Sequence, residues 1–209
     1  MRIVNAGYEI MDNLDGAAIL EKIERCGRVC YKSEDKITSD SAEKFVRSII
    51  KRGHESVLEH VSFTVRFIVD RGVSHELVRH RIASFSQEST RYCNYSQDKF
   101  GEEITVIAPC FADEIRGGYY RWLMACEYAE AKYFELLDSG WTPQEARFAF
   151  PNSLKTEVVM TANLREWRHF LRLRTSPAAH PQMREVTVPL LAELKQIVPA
   201  VFDDIEEAI

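Results

Sequence analysis

The hydrophobic pattern is clearest at residues 61–69. Val61, Phe63, Val65, Phe67 and Val69 alternate with Ser62, Thr64, Arg66 and Ile68, the period-two signature of a half-buried strand. Further strands are expected at 2–10, 104–108 and 155–162. Helical spacing takes over at 15–30, where Ile19, Ile23, Cys26 and Cys30 fall on one face. A second helix is expected over 41–52, opened by Ser39 or Asp40, closed by Gly53 and buried through Phe45, Val46, Ile49 and Ile50. Ser74 reads as the N-cap of a short helix to about 81. Residues 83–100 are polar, with no sustained period. A long helix is expected over 113–138, weakened at its start by Gly117 and Gly118. Thr142-Pro143-Gln144-Glu145 combines a cap, a first-turn proline and a capping-box glutamate. Asn163 and Glu166 repeat the capping pattern before a helix to about 174. Residues 175–181 read as a loop, and the helix to about 198 should kink or restart at Pro189. The mixture predicts an α+β fold, one domain over 1–209, with helices packed on one modest, mainly antiparallel sheet.

Composition narrows the function. The 209 residues are 45% hydrophobic and 28% charged, which excludes a disordered chain. A net charge of −5 argues against non-specific binding of nucleic acid or membrane, and no apolar run is long enough for a membrane span. No signal peptide is evident, and a cytoplasmic protein is expected. The five cysteines are odd in number and lack a C-x-x-C, so reduced, mostly buried thiols are expected in place of a disulfide framework. No H-x-x-x-H or H-E-x-x-H pair occurs, so no metal centre is expected. G-x-S-x-G, G-x-G-x-x-G and P-loop motifs are absent too.

Two basic clusters stand out in this acidic chain. Arg79-His80-Arg81 reads either as a solvated helix end or as an anion site. The run Ser84, Ser86, Gln87, Ser89, Thr90, Arg91, Tyr92 favours an anion site, since arginine forks and hydroxyls cradle phosphates. Arg165, Arg168, Arg172 and Arg174 form the second cluster. The first three share a side of the helix, and Arg174 lies about 120° from Arg168. Local clusters fit a small phosphorylated ligand better than a long polyanion.

Arg79-His80-Arg81, seven residues and then Ser89 resembles the signature of flavin-dependent thymidylate synthases. Further segments fall in the same order: RVCYKS at 28–33, HESVLEH at 54–60, Arg147, and NLREWRHFLRLR at 163–174. The resemblance implies conversion of dUMP to dTMP, with FAD as cofactor, NADPH as reductant and methylenetetrahydrofolate as carbon donor. It also implies a homotetramer with sites shared between subunits and no protein nucleophile. By the same resemblance, Ser56, Glu59, Arg79, His80, Arg81, Asn163, Arg165 and His169 hold FAD, and His54 lies near flavin and folate. Glu76, Arg79, Gln87, Ser89, Thr90, Arg91 and Arg147 bind the nucleotide, while Arg174 contacts and polarises the uracil. Ser33 matches a serine beside the flavin, and Gln182 a further substrate contact. The chain departs from the family at Ser86-Gln87, often Asn-Glu, at Glu76, often Gln, and at His169, often Asn. Gln87 thereby trades a negative charge for donors. Two other readings share some of these residues. One is a flavin-dependent dUMP hydroxymethylase. The other is a nucleic-acid-binding protein that uses Arg79–Tyr92 and the 165–174 helix as a basic patch, which the net charge and the lack of a stacking series oppose.

Overall fold

A computed structural model describes residues 1–97, 101–112 and 117–206. The fold is α+β, with helices around a small, mainly antiparallel sheet. The strands are β1 (Arg2–Val4), β2 (Gly7–Ile10), β3 (Ser62–Asp70), β4 (Ala83–Gln87), β5 (Thr105–Ile107) and β6 (Lys155–Asn163). The helices are α1 (Gly16–Tyr31), α2 (Ser41–Lys51), α3 (Arg71–Leu77), α4 (Gly118–Asp138), α5 (Pro143–Ala146), α6 (Leu164–Arg174), α7 (Pro181–Ile197) and α8 (Pro199–Phe202). A four-stranded sheet has the order β2-β3-β6-β4, and β1 pairs separately with β5 in parallel.

The chain divides into two compact units. The first comprises Met1–Gly7, Phe67–Arg79 and Ser86–Val158. Its core gathers Tyr95, Ile104, Val106, Cys126, Tyr133, Ala146 and Leu154. The second comprises Tyr8–Arg66, His80–Phe85 and Val159–Ile209. There α1 packs on α2, and α6 on α7. The Trp167 ring stacks on Phe63 at 4.7 Å, and its indole N–H donates to the Phe63 carbonyl, so a buried polar edge is satisfied.

Several elements differ from the pattern-based expectation. The stretch 2–10 is two strands, because its first half pairs with β5 and its second joins the larger sheet. The helix assigned to Ser74 starts earlier. Asp70 is its cap, accepting from Val73 N at 2.9 Å, while Ser74 is buried inside the helix and donates to the Arg71 carbonyl. The helix therefore ends at Leu77, and Arg79-His80-Arg81 lies beyond it. The polar run from 83 contains β4, whose alternating half-buried and exposed residues follow a strand period written in small polar side chains. The start of the expected 113–138 helix, residues 113–116, lies outside the described residues; α4 begins after Gly117, whose φ of 69° suits glycine. Residues 98–100 of the polar run also lie outside them.

Both capping motifs form. Thr142 and Glu145 make a capping box, and Asn163 accepts from Glu166 N at 2.9 Å. Pro189 does not restart α7, which runs from Pro181 to Ile197. Val186, Leu190, Leu191 and Leu194 are buried along it, and packing outweighs the missing N–H. All five cysteines are free, but only Cys126 is buried. Cys30 is exposed because the buried stripe of α1 runs through Ile19, Ile23, Glu24 and Gly27.

Candidate active site

In the first unit, α3, Thr90 and the stretch 147–154 line a cavity of about 520 Å³. Its lining includes Arg71, His75, Thr90, Arg147 and Asn152. The Asp70 cap holds the start of α3, where Arg71 N donates to the Asn152 carbonyl at 3.0 Å. Arg147 Nη1 donates weakly to the buried Thr90 hydroxyl at 3.5 Å, so residues 57 apart in sequence meet here. Ser89 Oγ accepts from Arg91 N at 3.3 Å, and the exposed Arg91 guanidinium lies 5.6 Å from the Tyr92 ring centroid. Gln87 Nε2 donates to Ser74 at 3.0 Å and to Thr156 at 3.3 Å. Glu76 is half-buried, and its carbonyl accepts from Arg79 N. Two cationic or near-cationic lining residues, Arg71 and His75, were not singled out in the sequence. Placing the cap at Ser74 moved Arg71 out of the helix that positions it.

In the second unit, a 3₁₀ segment, Glu55–His60, faces α6. Arg165 Nη1 donates to Glu59 at 2.6 Å, with both side chains half-exposed. His54 Nδ1 lies 2.8 Å from the Tyr31 hydroxyl, and Ser56 is exposed. Asn163 serves as the α6 cap. Arg81 is exposed and, like Arg79 of the first unit, has no side-chain partner among the described residues. Ser33 lines a second cavity of about 520 Å³ with Arg28, Lys36, Lys44 and Arg52. Gln182 is buried and donates to Glu185.

The arginines of α6 do not form one open basic stripe. Arg168 is fully buried. It donates to Asp204 at 2.7 and 2.8 Å, to Glu55 at 3.1 Å and to the Val201 carbonyl. Burial opposes its charge, but Asp204 and Glu55 more than offset that and raise its pKa. Arg172 joins Asp204 at 3.0 Å. Arg174 instead donates from Nε to His80 Nε2 at 3.1 Å. The other nitrogen of the His80 ring, Nδ1, stands 3.1 Å from Glu166 Oε1. Burial, with Arg174 and His169 nearby, pushes the His80 pKa below its ordinary value despite Glu166. His80, Glu166 and His169 offer ligand-type atoms within 4.8 Å of one another, yet one nitrogen of His80 already accepts from Arg174.

Residues 15–200 match the family described as thymidylate synthase complementing protein. The flavin-dependent thymidylate synthase of Geobacter sulfurreducens is 37% identical over 184 residues, covering 85% of this chain and 78% of that one. The chain belongs to the flavin-dependent thymidylate synthase family. The family's enzyme from Pyrococcus furiosus is 33% identical over 195 residues, covering 92% of this chain and 77% of its own. The crystal structure of a UMP/dUMP methylase, PolB from Streptomyces cacaoi bound with 5-Br dUMP, shares the fold with a TM-score of 0.79. The alignment covers 97% of this chain and 96% of that one at 24% identity.

Within this flavin-dependent thymidylate synthase family member, the residues expected to bind nucleotide and those expected to bind flavin fall largely into different units. Glu76, Gln87, Ser89, Thr90, Arg91 and Arg147 belong to the first, and Arg79 with them. His54, Ser56, Glu59, His80, Arg81, Asn163, Arg165, His169 and Arg174 belong to the second.

Proposed function

We propose that the chain methylates dUMP to dTMP, with FAD as cofactor, methylenetetrahydrofolate as carbon donor and NADPH as reductant. The reading includes a single functional domain over 1–209, a cytoplasmic location and a homotetramer whose subunits share active sites. Among the described residues no helix is long and apolar enough to cross a membrane. The observation that carries the reading is the convergence of Arg147 on Thr90, beside the signature Ser89, in a cavity with Arg71 and His75.

Arg147, Arg71 and the Ser89–Arg91 segment fit a phosphate monoester: cationic forks, hydroxyls and backbone N–H groups match its oxygens. Arg174 takes the uracil, where a fixed guanidinium stabilises charge that builds up as C5 becomes nucleophilic. The donor set of the second unit fits a flavin dinucleotide. Arg81 and Ser56 present exposed donors with no side-chain partner among the described residues. Arg165 is held in place by Glu59. His54, Asn163 and His169 supply further polar contacts. When bound, the flavin passes on the two electrons from NADPH that turn a methylene carbon into a methyl group. The atoms then balance as dTMP, tetrahydrofolate and NADP⁺. The reading uses no protein thiol nucleophile; Cys126 in particular is buried and its pKa is pushed up by burial. The paired arginines of α6 weaken the basic-patch reading, since Arg165, Arg168 and Arg172 all face carboxylates.

The purified chain supplemented with FAD is expected to retain flavin absorbance through gel filtration and to bleach on anaerobic addition of NADPH. Failure to bind FAD at tens of micromolar, about 6–7 kcal/mol of affinity, contradicts the reading.

A further inference from the structure

His80 is the only one of the six histidines that is buried; the other five are exposed. Its two ring nitrogens face opposite partners. On one side Arg174 Nε lies 3.1 Å from Nε2. An arginine N–H can only donate, so Nε2 must present its lone pair. The ring proton of a neutral imidazole then sits on Nδ1. It points at Glu166 Oε1, 3.1 Å away, and an ionised carboxylate can only accept. One tautomer satisfies both contacts, and a doubly protonated ring would set an N–H against the guanidinium. His80 is 5% exposed and Glu166 7%, so neither contact competes strongly with water. Phe170 packs edge-on against the imidazole at 4.9 Å and limits its rotation. The Glu166 backbone N–H is held by the Asn163 cap, so the carboxylate springs from a defined helix start.

We propose that Glu166 and His80 form a positioning relay that holds the plane of the Arg174 guanidinium. Glu166 sets the tautomer of His80, and His80 presents the single lone pair on which Arg174 Nε rests. Neither residue touches the substrate. The proposal rests on the assignment of Arg174 to the uracil. It gives the histidine of the signature a role inside the protein, and a carboxylate outside the signature becomes necessary to it. The groups facing His80 are Glu166, His169 and Arg174. Arg174 is cationic, so protonating His80 would work against it.

The relay can be tested without substrate. Histidine-selective ¹⁵N NMR of the flavin-loaded protein, assigned by the signal lost in His80→Gln, is expected to show one neutral ring protonated on Nδ1. That ring should stay neutral in mild acid, since burial lowers its pKa. A ring protonated on Nε2, an imidazolium at neutral pH, or stoichiometric metal removable by a chelator would overturn the relay. Kinetics then test its purpose. Glu166→Gln can donate to Nδ1 and so admit the wrong tautomer. It is expected to lower kcat at saturating dUMP by about 10-fold or more, leaving FAD binding and NADPH-dependent flavin reduction within about twofold. In an Arg174→Ala background the same change should have less than about a twofold effect, because coupled residues are not additive. A full, additive loss in that background contradicts the relay. If the unmodified chain makes no dTMP at all, the uracil assignment fails, while the NMR result still decides whether the relay exists.

Discussion

Arg147 and Arg174 are half-buried arginines of different compact units, held in different ways. Arg147 is half-buried in a cavity and leans on a hydroxyl. Arg174 is half-buried against an imidazole whose other side is held by a carboxylate. The first arrangement suits a ligand of full negative charge, the second a group whose charge appears only during reaction. A hydrogen bond to a charged group contributes about 1.5–3 kcal/mol. Arg147→Ala should therefore weaken dUMP binding by about 10-fold or more, with flavin reduction little changed. Arg174→Ala should lower the rate at saturating dUMP more than it weakens dUMP binding, because its contact strengthens in the transition state. Equilibrium binding of dUMP and single-turnover rates separate the two effects. Loss of flavin affinity from Arg147→Ala, with dUMP affinity intact, would reverse the assignment. The residue types of this site were readable from the Arg79–Arg91 run and the 163–174 segment. Their partners were not, because the contacts of Arg174 with His80 and of Arg147 with Thr90 span 94 and 57 positions.

At the scale of elements, α6 carries the clearest lesson. Its amphipathic spacing put Arg168 and Arg174 on different sides, and the structure sends them to different partners. The burial of Arg168 depends on Asp204, from a terminal segment with no motif to mark it, and on Glu55. Strands β3 and β6 were legible because apolar residues alternate with polar or half-buried ones over nine residues each. Strand β4 was not, because its alternation is carried by small polar side chains. The start of α3 was misplaced because Asp70 and Ser74 are both competent caps, and only packing chooses between them. Removing Arg168 should unsettle α6 as a whole. Arg168→Ala leaves Glu55 and Asp204 with only the more exposed Arg172 as a cation and opens space in the core. Its partners retain some hydration, so about 3 kcal/mol of stability should be lost, read from the urea midpoint. Arg168 holds the Asp204 carboxyl below its usual range. That contribution is complete above the ordinary aspartate pKa and is lost as pH falls through the lowered one. An unchanged midpoint at neutral pH would show that the buried cluster contributes no net stability.

For the whole molecule, family membership is the finding that points to nucleotide chemistry. The residues proposed for nucleotide and for flavin derive from two compact units and from segments scattered along the chain. That scatter is why the sequence showed the chemistry through a signature and not through a continuous motif. It is also what a subunit-sharing tetramer would exploit. The most direct measurement of the central claim is the mass of the nucleotide formed. The purified protein is loaded with FAD and incubated anaerobically with dUMP, methylenetetrahydrofolate and NADPH. The account predicts a product one methylene group heavier than dUMP, co-eluting with dTMP and absent when FAD or NADPH is withheld. A product that also carries an added oxygen, or recovery of unchanged dUMP from flavin-loaded protein, would contradict it.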